Sequence, residues 1–206
     1  MAPELETRGQ ILEAAETIIK ERGLGAATTK EIARAAGCAE GSIYRYFPDK
    51  HALFVEIVRA RFPEFMTLME ALPDHAGKGN VEKTLEDVAT AAVAFYRGVI
   101  PMSCGAVSNR ELLTQQRKYF EQTNTGPLKA IRALAEYLRR EQRLGRVNLR
   151  GTAEDAARVI LGPCFAYAFL LEFVGDAASM GSDERFARGA VRTVMEGLAP
   201  RQRPTR

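Results

Sequence analysis

Apolar positions along the chain recur every three or four residues and no segment alternates strictly, which predicts an all-α protein. The first stripe, Ile11, Ala14, Ala15, Ile18 and Ile19, predicts a helix over residues 6–22 that Gly23 and Gly25 stop. Thr28 reads as the N-cap of a short helix over 29–36, with Glu31 three residues on completing a capping box and Gly37 closing it. A third short helix covers 40–46. Pro48-Asp49 opens a fourth over 50–72, whose inner face is Leu53, Phe54, Ile57, Val58, Phe62, Phe65 and Met69, with a kink at Pro63. Residues 73–80 read as a loop by composition. The cleanest stripe, Val81, Leu85, Val88, Ala92, Phe95 and Val99, gives a fifth helix over 81–99 that Pro101 ends. A less regular helical stretch runs to 123, and Asn124 to Pro127 breaks it. A helix over 127–144 then places Leu128, Ile131, Ala135 and Leu138 inward. Thr152 and Asp155 cap a helix over 153–175 that contains Gly162-Pro163. The last helix covers 183–198, with Phe186, Ala190 and Val194 on one face.

Two short helices joined at Ala36-Gly37-Cys38-Ala39 form a helix-turn-helix pattern at residues 28–47. Ile32, Ala33, Ala36, Ile43 and Phe47 have the spacing to pack the pair on the first helix. That leaves Glu40, Gly41, Ser42, Tyr44, Arg45 and Tyr46 to face outward. These groups suit a major groove: arginine pairs with guanine, and glutamate accepts from the cytosine amino group. Lys30 and Lys50 sit near helix N-termini, where a lysine opposes the macrodipole and is better placed against a phosphate.

Charge gives this reading little help. The net charge is +3, yet residues 1–50 hold seven Lys/Arg against eight Asp/Glu, so any footprint depends on where the cations stand. The longest apolar run, Cys164 to Leu171, is far short of the roughly 20 residues of a membrane span. The acidic N-terminus lacks an apolar signal core, and a cytoplasmic location without a membrane partner is expected. Cys38, Cys104 and Cys164 are too dispersed for a disulfide framework and are expected to be buried reduced thiols. The two histidines, His51 and His75, have no metal-ligand spacing. No catalytic residue, metal site or cofactor is expected, because no nucleophile–base pair, metal cluster or phosphate-binding glycine loop is visible.

The string Thr28-Thr29-Lys30-Glu31-Ile32-Ala33, followed by Ala36-Gly37-Cys38-Ala39-Glu40-Gly41-Ser42-Ile43-Tyr44-Arg45-Tyr46-Phe47-Pro48-Asp49-Lys50-His51-Ala52-Leu53, closely resembles the tetracycline-repressor (TetR) family. The likeness covers residues 8–58. It implies a homodimeric repressor with an N-terminal three-helix helix-turn-helix DNA-binding domain, residues 1–50. A C-terminal helical ligand-binding and dimerisation domain, residues 51–206, would follow. It also implies phosphate contacts from Thr29, Tyr46 and Lys50, and base or nearby backbone contacts from Glu40, Gly41, Ser42, Tyr44 and Arg45. Where the family often has a capping serine, this chain has Ala39, a loss of about 1 kcal/mol at that helix start.

Beyond residue 60 the likeness thins. Leu144-Gly145-Arg146-Val147-Asn148 and Thr152 to Ala157 look like the family's entry into its dimerisation helix, so the last two helices are the expected homodimer interface. Phe65, Met66, Met69, Phe95, Tyr96, Val99, Met102, Phe165 and Phe169 are the candidates to line a pocket for an apolar small-molecule effector. The expected partners are double-stranded operator DNA, that effector and a second copy of the chain. Two other readings stay open: a DNA-binding regulator without a small-molecule ligand, and an all-helical enzyme.

Overall fold

The computed structural model describes residues 2–175 and 180–196, and every regular element among them is helical. The ten α-helices are α1 (Ala2–Ala26), α2 (Thr29–Ala35), α3 (Glu40–Tyr46), α4 (Lys50–Arg61), α5 (Pro63–Ala71), α6 (Val81–Ser108), α7 (Arg110–Thr123), α8 (Pro127–Arg143), α9 (Ala153–Val174) and α10 (Asp183–Glu196). A short 3-10 turn, Leu72–His75, follows α5. The end of the expected last helix beyond Glu196 and the arginines at 201, 203 and 206 lie outside the described residues.

The chain divides into two compact units, residues 1–66 with 97–129 and residues 67–96 with 130–206. In the first unit α1 packs on α2 and α4, α2 on α3, and α4 on α7. Its core is the first stripe, Ile11, Ala15 and Ile19, together with Leu24, Ile32, Ile43, Phe47, Leu53 and Ile57, all buried. His51 is buried at the start of α4, with its ring 6.4 Å from Tyr119 of α7. The second unit buries Leu85, Val88 and Ala92 of α6, Leu134, Ala135 and Leu138 of α8, and Ala157, Ile160, Leu161 and Ala168 of α9. Glu141 of α8 is fully buried and fastens the loop before α6: its carboxylate accepts from the Gly77 N–H at 3.1 Å and faces Arg146 at 3.4 Å.

The helix starts read at Pro48-Asp49 and at Thr152 are both closed by side-chain caps. Asp49 accepts from the His51 and Ala52 N–H groups at 2.8 Å, and Thr152 accepts from Asp155 at 3.1 Å. Prolines depart from expectation in both directions. The helix expected over 50–72 is two helices, because Phe62 leaves helical geometry (φ −127°, ψ 51°) and Pro63 starts α5, a position that needs no N–H donor. Pro101, by contrast, does not end α6, which continues to Ser108: one missing N–H costs a single bond of a 28-residue helix. The stripe expected inward on α10 is also shifted. Ala187 and Val191 are the buried pair against α9, while Ala190 and Val194, one step around the helix, line an open groove.

Two helices, Val81–Gly105 and Ala153–Val174, are long and apolar enough to cross a membrane, with mean hydropathy 1.2 and 1.6, although neither is uninterrupted. Each carries one of the core stripes named above, and 33% and 39% of the two apolar windows is buried within this chain. The cysteines also differ from expectation: Cys164 is buried, Cys38 is half-buried and Cys104 is exposed.

Gly98 shows why α6 has no side chain at that point. A Cβ there would lie 2.0 Å from Phe62 Cζ, so the ring rests directly on the helix backbone. Replacing a mid-helix glycine by alanine ordinarily stabilises by about 0.5–1 kcal/mol. Overpacking of about 1–3 kcal/mol outweighs it here. Gly98→Ala is therefore expected to lower the melting temperature, and a raised melting temperature would contradict this packing.

Candidate nucleic-acid interface

The helix-turn-helix is built from local signals that agree. Thr28 Oγ1 accepts from the Glu31 N–H at 3.2 Å, and Glu31 accepts from the Thr28 N–H at 3.3 Å, the reciprocal box that opens α2. Donation from the Thr28 hydroxyl at 2.9 Å and from the Thr28 N–H, with Arg22 2.9 Å away, holds the Glu31 carboxyl below its ordinary pKa. Gly37 turns the chain with φ +66°, a conformation that costs a side-chain-bearing residue far more. Helix α3 starts at Ala39 without a side-chain cap, as the sequence implies. Ile43 and Phe47 point inward, at 0% and 1% exposure, and Arg8 of α1 lies over the Phe47 ring at 5.1 Å while it pairs with Glu56 of α4 at 2.6 Å.

With Ile43 and Phe47 inward, the opposite side of α3 must face out. Glu40, Gly41, Tyr44 and Arg45 are exposed, and Ser42 and Tyr46 are half-buried. Lys30 is exposed at the start of α2, and Thr29 beside it is half-buried. Three of these residues meet: Thr29 Oγ1 donates to Glu40 Oε1 at 2.5 Å and lies 3.2 Å from the Tyr44 hydroxyl. Arg45 lies over the Tyr46 ring at 5.9 Å.

Lys50 is engaged elsewhere. Its ammonium donates to the carbonyl oxygens of Ala27 at 3.2 Å and Gly25 at 3.5 Å, at the end of α1. Partial burial lowers its pKa. A cation near the end of one helix offsets its unfavourable place at the start of another. Sequence spacing could not reveal this tie, because it joins residues more than twenty positions apart.

The nine pocket candidates fall in both units. In the first, Phe65 and Met102 are buried, and Met66 and Val99 are half-buried. In the second, Met69 is buried, and Phe95, Tyr96, Phe165 and Phe169 form a row of rings with successive centroids 5.4, 5.5 and 6.3 Å apart. Phe173, missed by the sequence reading, extends the row at 5.0 Å and is 77% exposed. Burial pushes the Tyr96 phenol up to about 12, so its hydroxyl keeps its proton. Burial likewise pushes the Cys164 thiol up to about 12, and its S–H donates to the Ile160 carbonyl at 3.2 Å. An open groove of about 600 Å³ between α9 and α10 is lined by Val159, Pro163, Phe186, Ala190 and Val194 among others, and by none of the nine candidates. Among the described residues, no group of three or more His, Cys, Asp or Glu is placed to hold a metal ion.

Residues 11–57 match the family described as bacterial regulatory proteins, tetR family. The HTH-type transcriptional repressor BepR of Brucella suis is 40% identical over 93 residues, which are 44% of this chain and 43% of that repressor. The chain thus aligns with less than half the length of that relative. A tetR-family transcriptional regulator from Mesorhizobium loti shares the fold, with a TM-score of 0.71 and 19% identity over 94% of this chain and 96% of that one. FadR of Bacillus subtilis, solved in complex with stearoyl-CoA, does so with a TM-score of 0.66 and 19% identity over 92% and 98%.

The tie at Lys50 has a measurable consequence. Lys50→Met removes a charged donor from two carbonyls and is expected to cost about 1–2 kcal/mol of stability in the absence of DNA. Unchanged thermal melting would show that Lys50 does not hold α4 to α1.

Proposed function

We propose that this chain, whose residues 11–57 match the tetR family of bacterial regulatory proteins, is a ligand-responsive transcriptional repressor of that family that reads operator DNA with α3. The observation that carries this reading is the sidedness of α3: Ile43 and Phe47 are buried, while Glu40, Gly41, Tyr44 and Arg45 form an outward row two turns long. A row of that length fits a major groove, with Arg45 placed to pair with guanine and Thr29, Lys30 and Tyr46 beside it to meet phosphates. Lys50 supports the reader by holding α4 to α1, and a phosphate contact from it requires that tie to loosen. Such a regulator works where the DNA is, in the cytoplasm.

Homodimerisation through α9 and α10 follows from the apolar surface these helices leave open. Val159, 54% exposed, lines the groove that Ala190 and Val194 border, and Leu170 further along α9 is 48% exposed. A second copy brings the same stripe and closes both by a twofold axis. Two α3 helices then read two half-sites.

The effector in this reading is a small, largely apolar molecule. Met69, Phe95, Tyr96, Phe165 and Phe169 of the second unit offer rings, a thioether and one protonated phenol, a set suited to an apolar body carrying a hydrogen-bond acceptor. The stearoyl-CoA held by the Bacillus subtilis neighbour has such an apolar body in its acyl chain, joined to a large charged head. Such a ligand releases DNA only by binding the DNA-free state more tightly.

Three outcomes are expected. Arg45→Ala weakens binding by about 1–3 kcal/mol and relaxes base preference at one position per half-site, read from affinities for single-base variants of the bound duplex. An equal loss on every sequence would remove Arg45 from base reading. Light scattering gives a dimer at micromolar concentration for the native chain and monomers for Ala190→Glu, whereas a monomeric native chain contradicts the interface. Calorimetry of an apolar effector found by thermal-shift screening gives weaker binding in the presence of operator duplex, by the same factor by which the effector weakens DNA binding. Equal affinities in the two titrations would leave a regulator without an inducer at this site.

A further inference from the structure

We infer that Glu40 is a specificity-determining residue of the DNA reader: its carboxylate repels DNA in general, and the protein tolerates that cost only where a base amino group meets it. The inference rests on the DNA-binding reading above.

The geometry is a directed chain of hydroxyls. Thr29 Oγ1 donates its one proton to Glu40 Oε1 at 2.5 Å, so the contact between Thr29 and the Tyr44 hydroxyl at 3.2 Å is filled by the Tyr44 proton. The Thr29 hydroxyl, expected to meet a phosphate, and the Tyr44 hydroxyl beside it therefore already donate, directly or through one another, to a carboxylate of this chain. Glu40 takes the place that a phosphate oxygen would take. A phosphate gains these donors only by displacing a negative group that is itself exposed on the binding face.

Charge arithmetic makes the effect large for this reader. From Thr28 to Lys50 the chain carries four Lys/Arg (Lys30, Arg34, Arg45, Lys50) and three Asp/Glu (Glu31, Glu40, Asp49), a net of 4 − 3 = +1. Glu31 is turned to the Thr28 cap and Arg22, and Asp49 to the start of α4, which leaves Glu40 as the carboxylate of the three that lies on the outward face of α3. Non-specific DNA binding is almost wholly electrostatic, so one carboxylate on so weakly basic a face suppresses it efficiently. At the right site the same group has a use. When a phosphate takes the Thr29 proton, Glu40 is free to accept from a cytosine or adenine amino group in the major groove, whereas the carbonyl and ring-nitrogen acceptors of guanine and the carbonyl of thymine repel it. The repulsive element thus becomes a selective one.

Glu40→Gln tests this, because the amide keeps an oxygen to accept the Thr29 proton and removes only the charge. Two duplexes of equal length serve as probes: one enriched by the native chain from a random pool, and a scrambled one. Expected at low salt is about tenfold tighter binding of the scrambled duplex. The enriched duplex gains less or loses affinity, so the ratio between the two falls. Thr29→Val breaks the hydroxyl chain but keeps the charge, and it leaves the scrambled affinity no higher than native. Unchanged or weaker scrambled binding by Glu40→Gln, with unchanged thermal melting, overturns the inference. So does an equal rise for Thr29→Val, which would assign the effect to the released hydroxyls. If the native chain enriches no sequence and binds neither duplex, the DNA-binding reading fails and this inference with it.

Discussion

Everything proposed for this chain depends on the anchoring of a seven-residue helix by two apolar side chains. Helix α3 is two turns long, starts without a side-chain cap and is far below the length at which a helix holds itself in water. It exists because Ile43 and Phe47 are buried, with α2 packed beside it and the Arg8 guanidinium over the Phe47 ring. The same anchoring fixes its rotation. With positions 43 and 47 inward, 40, 41, 44 and 45 have no direction left but outward, so the reading surface is a by-product of the core.

The restraint on this surface is as informative as its shape. A reader with a net charge of +1 cannot rely on bulk electrostatics, and its exposed carboxylate is already hydrogen-bonded to a hydroxyl that would otherwise serve a phosphate. Lys50 is likewise committed to the end of α1. Affinity for DNA, in this account, is earned only where base edges and phosphates together outbid contacts the free protein has already made.

Local chemistry was legible in the sequence, and long-range packing was not. The Thr28–Glu31 box, the Gly37 turn, the opening of α4 after Pro48-Asp49, the Thr152 cap and the bounds of α3 follow from residues within four positions of one another, and all appear as read. The break at Phe62, the passage of α6 through Pro101 and the rotation of α10 depend on what each helix packs against. Gly98 under the Phe62 ring and the groove beside Ala190 are examples. Periodicity identifies an apolar stripe, but it does not say whether the stripe meets this chain or a second copy. The row from Phe95 to Phe173 was only partly visible for the same reason, since its order comes from the placement of α6 against α9.

The central claim is that a pair of α3 helices reads double-stranded DNA. The most direct measurement is sequencing of duplexes retained by the full chain from a random pool. The account predicts an inverted repeat whose half-site centres lie about 34–36 Å apart, one helical turn, or a multiple of it. No enriched sequence, or a single site without a repeat, would contradict it.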